Sequence, residues 1–157
     1  MNQHTILVIG ATGTVGAPVA RQLRDDGYHV RLLVRDPKRA AAQLGSGFDY
    51  IQGSVEERET VQQALSGCTG VHLSLQAGSN PADIERVEHL GTLGVIELAA
   101  QQHLAHVTYV SGMFACGYCS LNHSRQPCGS TFFIFTGDGF VVFFGACHPS
   151  RTAAINA

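Results

Sequence analysis

The stretch Thr5–Gly16, which reads T-I-L-V-I-G-A-T-G-T-V-G, joins a short apolar run to three evenly spaced glycines. The run Thr5–Ile9 is rich in β-branched residues, as is typical of a strand buried on both faces. Gly10, Gly13 and Gly16 follow, and an amphipathic segment comes next. A strand, a glycine turn and a helix form the phosphate-binding corner of a dinucleotide fold, because glycines let the pyrophosphate approach the backbone and the first-turn amides face the anion. The stretch predicts a dinucleotide at this turn; the alternative is a structural turn without a ligand.

Three segments resemble the NmrA-like branch of the extended and atypical short-chain dehydrogenase/reductase superfamily. They are G-A-T-G-T-V-G-A-P-V from Gly10, L-V-R-D-P from Leu33 and Y-V-S-G from Tyr109, within a resemblance that runs from about His4 to Gly112. It implies a Rossmann domain that binds NADP(H) or NAD(H). The residues that would hold the pyrophosphate are Gly10, Thr12, Gly13, Thr14, Val15 and Gly16. The branch contains both reductases and cofactor-sensing regulators, so the resemblance alone does not imply turnover.

The alternation of strand and helix patterns predicts an α/β fold with three layers and a parallel sheet in the order 3-2-1-4-5. The predicted strands are Thr5–Ile9, Val30–Val34, Phe48–Gln52, Val71–Leu75 and His106–Ser111. The predicted helices begin near Thr14, at Lys38 and at Val55, and a long one follows Asn80-Pro81. Their predicted buried positions are Val15, Val19 and Leu23 in the first, Val61, Ala64 and Leu65 in the third, and Ile84, Val87, Gly91, Val95 and Leu98 in the fourth.

Arg35 follows the second strand, where the ribose of the adenosine half is expected. NAD sites tend to place an acid there, whereas an arginine accepts a 2′-phosphate. Asp36 competes for the acid role, but Asp36-Pro37 is the pattern of an N-cap followed by proline at the first helical position. We therefore assign Arg35 to the 2′-phosphate and expect NADP, with NAD as the alternative.

Ser54 begins S-V-E-E, a capping-box pattern, and the family resemblance adds a secondary contact to adenine. Leu75 and Gln76 end the fourth predicted strand, and ligands of open α/β sheets lie at such strand ends. We expect both residues to pass over the cofactor.

The superfamily resemblance implies a Ser-Tyr-Lys group, in which Ser111 is the matching serine and would face the nicotinamide. Tyr118 is the only tyrosine beyond it, and Asn122, not lysine, follows four residues later. Lys38 is the only lysine of the chain. Because a tyrosine near its ordinary pKa of about 10 is a poor acid or base at neutral pH, Ser111 and Tyr118 are weak catalytic candidates. The predicted function is an oxidoreductase of quinones or small carbonyl compounds; the alternatives are a non-catalytic NADP(H) sensor and a fragment that only binds cofactor.

Composition limits the other function classes. A chain of 157 residues with a net charge of −2 is typical of one domain without a basic field for nucleic acid or a membrane surface. No signal peptide and no apolar run of membrane-spanning length is recognised, and the five cysteines are an odd number, which favours reduced thiols. We expect a cytoplasmic protein; the oligomeric state stays open. The histidines His4, His29, His72, His89, His103 and His106 are interpreted as surface or strand-end residues.

The composition changes at about Gly112, which suggests a Rossmann domain over residues 1–111 and a divergent or truncated tail over 112–157. The tail holds seven of the eight phenylalanines and one of the twelve acidic residues. Residues 131–136 and 140–145 around Gly-Asp-Gly predict a β-hairpin. A frame-shifted end and a genuine end that pairs with the sheet edge or another subunit are the two interpretations. The tail's Cys116, Cys119, His123, Cys128 and Cys147-His148 lack zinc-site spacing, so no metal is predicted.

Overall fold

The computed structural model of the chain describes residues 4–111, 131–136 and 141–145. Its strands are β1 Thr5–Ile9, β2 His29–Val34, β3 Asp49–Gln52, β4 Gly70–Leu73, β5 His106–Ser111, β6 Thr131–Thr136 and β7 Val141–Gly145. Its helices are α1 Gly16–Asp25, α2 Pro37–Leu44, α3 Arg58–Leu65, α4 Pro81–Asp83 and α5 Gly91–Gln101, and a π-helical segment, Ile84–Leu90, joins α4 to α5.

The sheet has the order β3-β2-β1-β4-β5-β6-β7. The first five strands are parallel, which confirms the predicted order 3-2-1-4-5. Strands β6 and β7 pair antiparallel with β5 and with each other, so the predicted hairpin is present and extends the sheet edge. Its predicted turn, residues 137–140, lies outside the described residues.

Both faces of the sheet are covered, which gives the three predicted layers. Leu7 and Ile9 of β1 pack in a core with α3 and α5, whereas Val8 packs in a second core with α1 and α2. This alternation explains why β1 is apolar throughout, because neither face of a strand between two helical layers contacts water.

The predicted buried stripe of α1 is wrong at its first position, Val15. The buried residues are Gly16, Ala17 and Ala20, whereas Val15 is 40% exposed. Val19 and Leu23, the other two predicted positions, are partly buried, and Leu23 packs against the core. The smallest residues face the sheet because the first turn of α1 lies directly against the backbone that follows β1.

The predicted capping box at Ser54 is also wrong. Helix α3 begins at Arg58, and its N-cap residue, Glu57, makes no side-chain cap. The Ser54 carbonyl accepts a hydrogen bond from the Glu57 N–H at 3.1 Å, and its hydroxyl oxygen accepts one from the Glu56 N–H at 3.4 Å. Serine thus closes a turn of its own before the helix. The predicted buried positions of α3 are confirmed: Val61, Ala64 and Leu65.

The long helix after Asn80-Pro81 has three parts. Asn80 caps it as predicted, because its Oδ1 accepts from the Ala82 N–H at 3.1 Å. Gly91, Val95 and Leu98 are buried as predicted, but Ile84 and Val87 are only partly buried. The wider turn of the π-helical segment changes the phase of the helix between these two groups.

His72 contradicts its interpretation as a surface or strand-end residue, since it lies within β4 and is only 7% exposed. Its Nδ1 shares a hydrogen bond of 2.7 Å with the Thr108 hydroxyl of β5. Its Nε2 is buried without a partner in the described structure. Burial lowers the pKa of His72 from 6.5 to about 4, because the charged imidazolium is poorly solvated there.

We predict that His72 makes the free energy of unfolding fall as the pH is lowered from about 6.5 to about 4. In this window the unfolded state binds a proton that the folded state does not, so acid favours unfolding by roughly 3 kcal/mol at its lower end. Denaturant unfolding at several pH values measures this dependence. In His72→Leu the fall should be smaller, and in His89→Gln, at an exposed position, it should be unchanged; equal pH profiles for His72→Leu and the unaltered protein would contradict the assignment.

Candidate functional site: a cleft at the ends of the parallel strands

Gly10 and Gly16 are required by close backbone packing. Gly10 has a φ of +87°, and a Cβ there would lie 2.2 Å from the carbonyl oxygen of Ser74, in the loop after β4. A Cβ on Gly16 would lie 2.2 Å from the carbonyl oxygen of Gly10 and 2.6 Å from the Ser74 hydroxyl. These distances are shorter than any real contact, so both glycines hold the end of β1, the start of α1 and the loop after β4 together.

Gly13 is different from the other two glycines. Its φ is not positive, and a Cβ there would meet only the Gly10 carbonyl oxygen, at 3.3 Å. Its N–H donates to that oxygen at 3.0 Å, which closes the turn. A Cβ at Gly13 would therefore be a tight contact that a shift of a few tenths of an ångström relieves, unlike those at Gly10 and Gly16, and Gly13 lines an open cleft.

The N-terminus of α1 lacks a side-chain cap. Val15 occupies the N-cap position and makes no side-chain hydrogen bond to the helix. In contrast, the Asp36 carboxylate accepts from the Arg39 N–H at 3.1 Å at the start of α2, and Asn80 caps α4. The Ala17 N–H donates to the Gly13 carbonyl at 3.1 Å, and Pro18 has no N–H, so the Val15 and Gly16 N–H groups are the ones left without an acceptor in the described structure. The partial positive charge of a helix N-terminus favours an anion at these groups.

The cleft above this turn has a volume of about 400 Å³ and is lined by residues that follow β1, β2, β3 and β4. The predicted site residues that line it are Gly10, Thr12, Gly13, Arg35, Ser54, Leu75 and Gln76. Thr14 and Val15 are exposed in the turn before α1, and Gly16 is buried beneath it. Ser111 ends β5, and Tyr118 lies outside the described residues. The cleft thus collects predicted residues from four strand ends, at the crevice where open α/β sheets bind ligands.

Asp36 caps a helix as predicted, and Arg35 beside it has different surroundings. Asp36 is occupied by the cap of α2, whereas Arg35 is exposed on the cleft wall directly after β2. The positive side chain is therefore the one available to a ligand at this strand end.

Sequence reasoning missed the wall contributed by the helical segment after β4. Asp83, Arg86 and Val87 line the cleft. Arg86 forms ion pairs with Glu56, in the loop after β3, and with Asp83, whose Oδ1 lies 2.8 Å from Nη2. The spacing of Asp83 and Arg86 on one helix face could have indicated the second pair, but no local signal points to Glu56.

Glu88 is a further missed residue. Its Oε1 accepts a hydrogen bond of 2.7 Å from the Ala77 N–H in the loop after β4. The same loop carries Leu75 and Gln76 along the cleft. Glu88 therefore fixes the position of that loop against the π-helical segment.

No group of three or more potential metal-binding side chains occurs in the part of the chain that the structure describes. The described thiol, Cys68, is partly buried, and desolvation raises its pKa despite the nearby Arg31. The cysteines and histidines considered for zinc, Cys116, Cys119, His123, Cys128, Cys147 and His148, lie outside the described residues. Among the described helices, none is long and apolar enough to cross a membrane.

Comparison with known proteins agrees with the geometry of the cleft. Residues 10–126 match a protein-family model described as NAD(P)H-binding. The Photosystem II assembly factor Ycf39 of Cyanophora paradoxa is 33% identical over 108 residues, which are 68% of this chain and 34% of that protein. An NmrA-like family domain-containing oxidoreductase of Aspergillus japonicus is 32% identical over 125 residues, 74% of this chain and 38% of that protein.

A solved structure shares the architecture. The crystal structure of a short-chain dehydrogenase/reductase superfamily protein from Agrobacterium tumefaciens with bound NAD aligns with a TM-score of 0.53 and 29% identity. The alignment covers 62% of this chain and 29% of that one. The chain thus spans about a third of the length of the relatives that it matches.

Proposed function

The chain belongs to the NAD(P)H-binding family, as an NmrA-like member of the atypical short-chain dehydrogenase/reductase superfamily, and from this premise we propose that it is an NADPH-dependent oxidoreductase that reduces quinones or small carbonyl compounds. The observation that carries the proposal is the N-terminus of α1, which has no side-chain cap and lies at the open cleft that Gly13 lines. These two features give an anion a binding surface and room to approach it.

The residues of the cleft fit a dinucleotide placed along the strand ends. The proposed pyrophosphate ligands come from the turn before α1, namely Gly10, Thr12, Gly13, Thr14, Val15 and Gly16. Arg35 would bind the 2′-phosphate and Ser54 would contact the adenine. Leu75 and Gln76 would cover the cofactor, and Ser111 would face the nicotinamide. When bound, the nicotinamide supplies the hydride; the protein binds and orients it.

The proposed substrate class depends on which proton donors the chain can offer. Lys38 is the only lysine and lies on α2, which connects β2 to β3 at the side of the sheet away from β5. A lysine-assisted tyrosine is therefore not available beside Ser111. Hydride transfer to a quinone asks less of a protein acid than carbonyl reduction does, so quinones are the favoured substrates. The odd number of cysteines favours reduced thiols and hence a cytoplasmic location.

The absence of a second lysine favours one other function. A protein that binds NADP(H) and signals its level to a partner needs the cleft but no proton donor. Such a sensor would bind the cofactor without consuming it in the presence of any acceptor.

We predict that Gly13→Val abolishes NADPH binding while the protein stays folded. The new side chain would project into the cleft, and the backbone φ at this position tolerates it. Isothermal titration calorimetry measures the affinity, and circular dichroism measures the fold. An unchanged NADPH affinity in folded Gly13→Val would contradict the proposed pyrophosphate site.

Two variants control this experiment. Ala42→Val changes an exposed residue of α2 outside the cleft and should leave binding intact. Gly16→Ala places a Cβ against the Gly10 carbonyl, so it should lower the free energy of unfolding by about 1–3 kcal/mol, as overpacking does. The contrast separates a glycine needed for ligand access from one needed for folding.

We predict that the protein prefers NADPH to NADH and that Arg35→Ala removes most of this preference. A charge-assisted hydrogen bond contributes about 1.5–3 kcal/mol, and the exposure of Arg35 places its effect at the lower end, about tenfold in affinity. Titration with both cofactors measures the ratio. Arg39→Ala, which alters an exposed arginine of α2, should keep the preference. Equal affinities of the unaltered protein for NADPH and NADH would rule out this role of Arg35.

We predict NADPH consumption with quinones and little or none with aldehydes and ketones. Steady-state kinetics over a panel of each class measures this, alongside Tyr118→Phe, which should leave quinone reduction intact. Strong ketone reduction that collapses in Tyr118→Phe would show that a tyrosine acid operates after all. Tight NADPH binding with no consumption in any assay would favour the sensor.

A further inference from the structure

A second cavity, of about 240 Å³, lies between α3, the π-helical segment and α5. We call it the apolar pocket. Its apolar lining consists of Val55, Val61, Leu90, Gly91, Gly94 and Leu98. Among the described residues, Val55, Glu56 and Arg86 are the ones that line both this pocket and the cofactor cleft.

The apolar pocket is separate from the nicotinamide end of the cleft. Val55 and Glu56 follow β3, at one end of the five parallel strands, whereas Ser111 ends β5 at the other end of that order. No residue of the turn after β1 or of the loop after β4 lines it. The proposed oxidoreductase activity therefore does not account for this pocket.

Gly94 keeps the pocket open. A Cβ on Gly94 would meet no described residue within 4 Å, so packing within the described part of the chain does not explain a glycine there. Gly91, one turn earlier, is explained, since its Cβ would lie 2.9 Å from Cγ1 of Val55. Glycine in a helix interior is less favourable than alanine. Gly94 thus retains space over the apolar floor at a position where a larger residue would fit and favour the helix.

Both arginines at the rim of the pocket are ion-paired, and Arg86 has more carboxylate partners than Arg58. The charged lining residues of the pocket are Glu56, Arg58 and Arg86. Arg86 is held by two carboxylates, Glu56 and Asp83. Arg58 has one partner, Glu97, at 3.2 Å, and both side chains of that pair are more than half exposed. Since exposed ion pairs contribute little, the Arg58 guanidinium can bind an incoming carboxylate.

We propose that the apolar pocket binds a small aromatic monocarboxylate, with the ring on the floor beside Gly94 and the carboxylate at Arg58. An apolar cavity of about 150 Å³ holds a benzene ring, so 240 Å³ accommodates one ring with its substituent. Drug-sized ligands need about 300 Å³ or more. The ligand is therefore a single-ring acid and not a second dinucleotide.

The test uses 4-fluorobenzoate as the probe and fluorobenzene as its neutral counterpart, each titrated into the full chain. Fluorine NMR measures binding of both, and amide shifts of the protein locate it. We expect 4-fluorobenzoate to bind and to shift the amides of Val61, Gly94 and Leu98. Shifts confined to the turn at Gly10–Gly13 would place the probe in the cofactor cleft and overturn the proposal, as would failure of 4-fluorobenzoate to bind.

Three variants test the two parts of the site. Gly94→Leu fills the pocket and should abolish binding of both probes, while Ala100→Leu, at an exposed position of the same helix, should change neither. Arg58→Gln should weaken 4-fluorobenzoate about tenfold and leave fluorobenzene unchanged. Thermal unfolding verifies that each variant is folded. Undiminished binding in folded Gly94→Leu, or equal affinity of Arg58→Gln and the unaltered protein for 4-fluorobenzoate, would overturn the proposal.

Discussion

The rest of the structure depends on the contact between the turn after β1 and the loop after β4. The Ser74 N–H donates to the Ile9 carbonyl at 3.0 Å, and the Ser74 hydroxyl lies within 3.4 Å of the carbonyl oxygens of Ile9 and Gly10. Gly10 and Gly16 have no side chain because these backbones leave no space for one. The contact continues the pairing of β1 with β4 beyond its last paired residues, Ile9 and Leu73. It thereby fixes the position of the two segments between which the cleft lies.

The parts of the fold that sequence could predict are those encoded locally. Two Asx-Pro pairs occur, Asp36-Pro37 and Asn80-Pro81. In each pair the first residue is the N-cap and the proline is the first residue of the helix. The parallel strands likewise follow from short apolar runs. The strand order follows from alternating elements and right-handed crossovers.

The parts that failed depend on partners distant in the chain. One such part is the buried face of α1. Hydrophobicity predicts that Val15 and Val19 are buried, but the backbone at Gly10 and the Ser74 hydroxyl leave room only for a small residue where α1 begins. Likewise, Arg31 donates to the Ala64 and Ser66 carbonyls at the end of α3, a contact that no pattern around Arg31 indicates. In the site, the glycines and Arg35 were accessible to reasoning from motifs, but the ion pair of Arg86 with Glu56 joins two segments that only the folded chain brings together.

The wall shared by the cofactor cleft and the apolar pocket limits how strongly two ligands there could affect each other. Linkage requires that any effect of one ligand on the affinity for the other be reciprocal. The polar part of that wall is Arg86 with its two carboxylate partners, and all three side chains are more than a third exposed. Each such pair contributes about 0–1 kcal/mol, so breaking both changes an affinity by at most about thirtyfold. Val55 adds packing against Gly91 but no charge. Any coupling between the two cavities through this wall is therefore of modest strength.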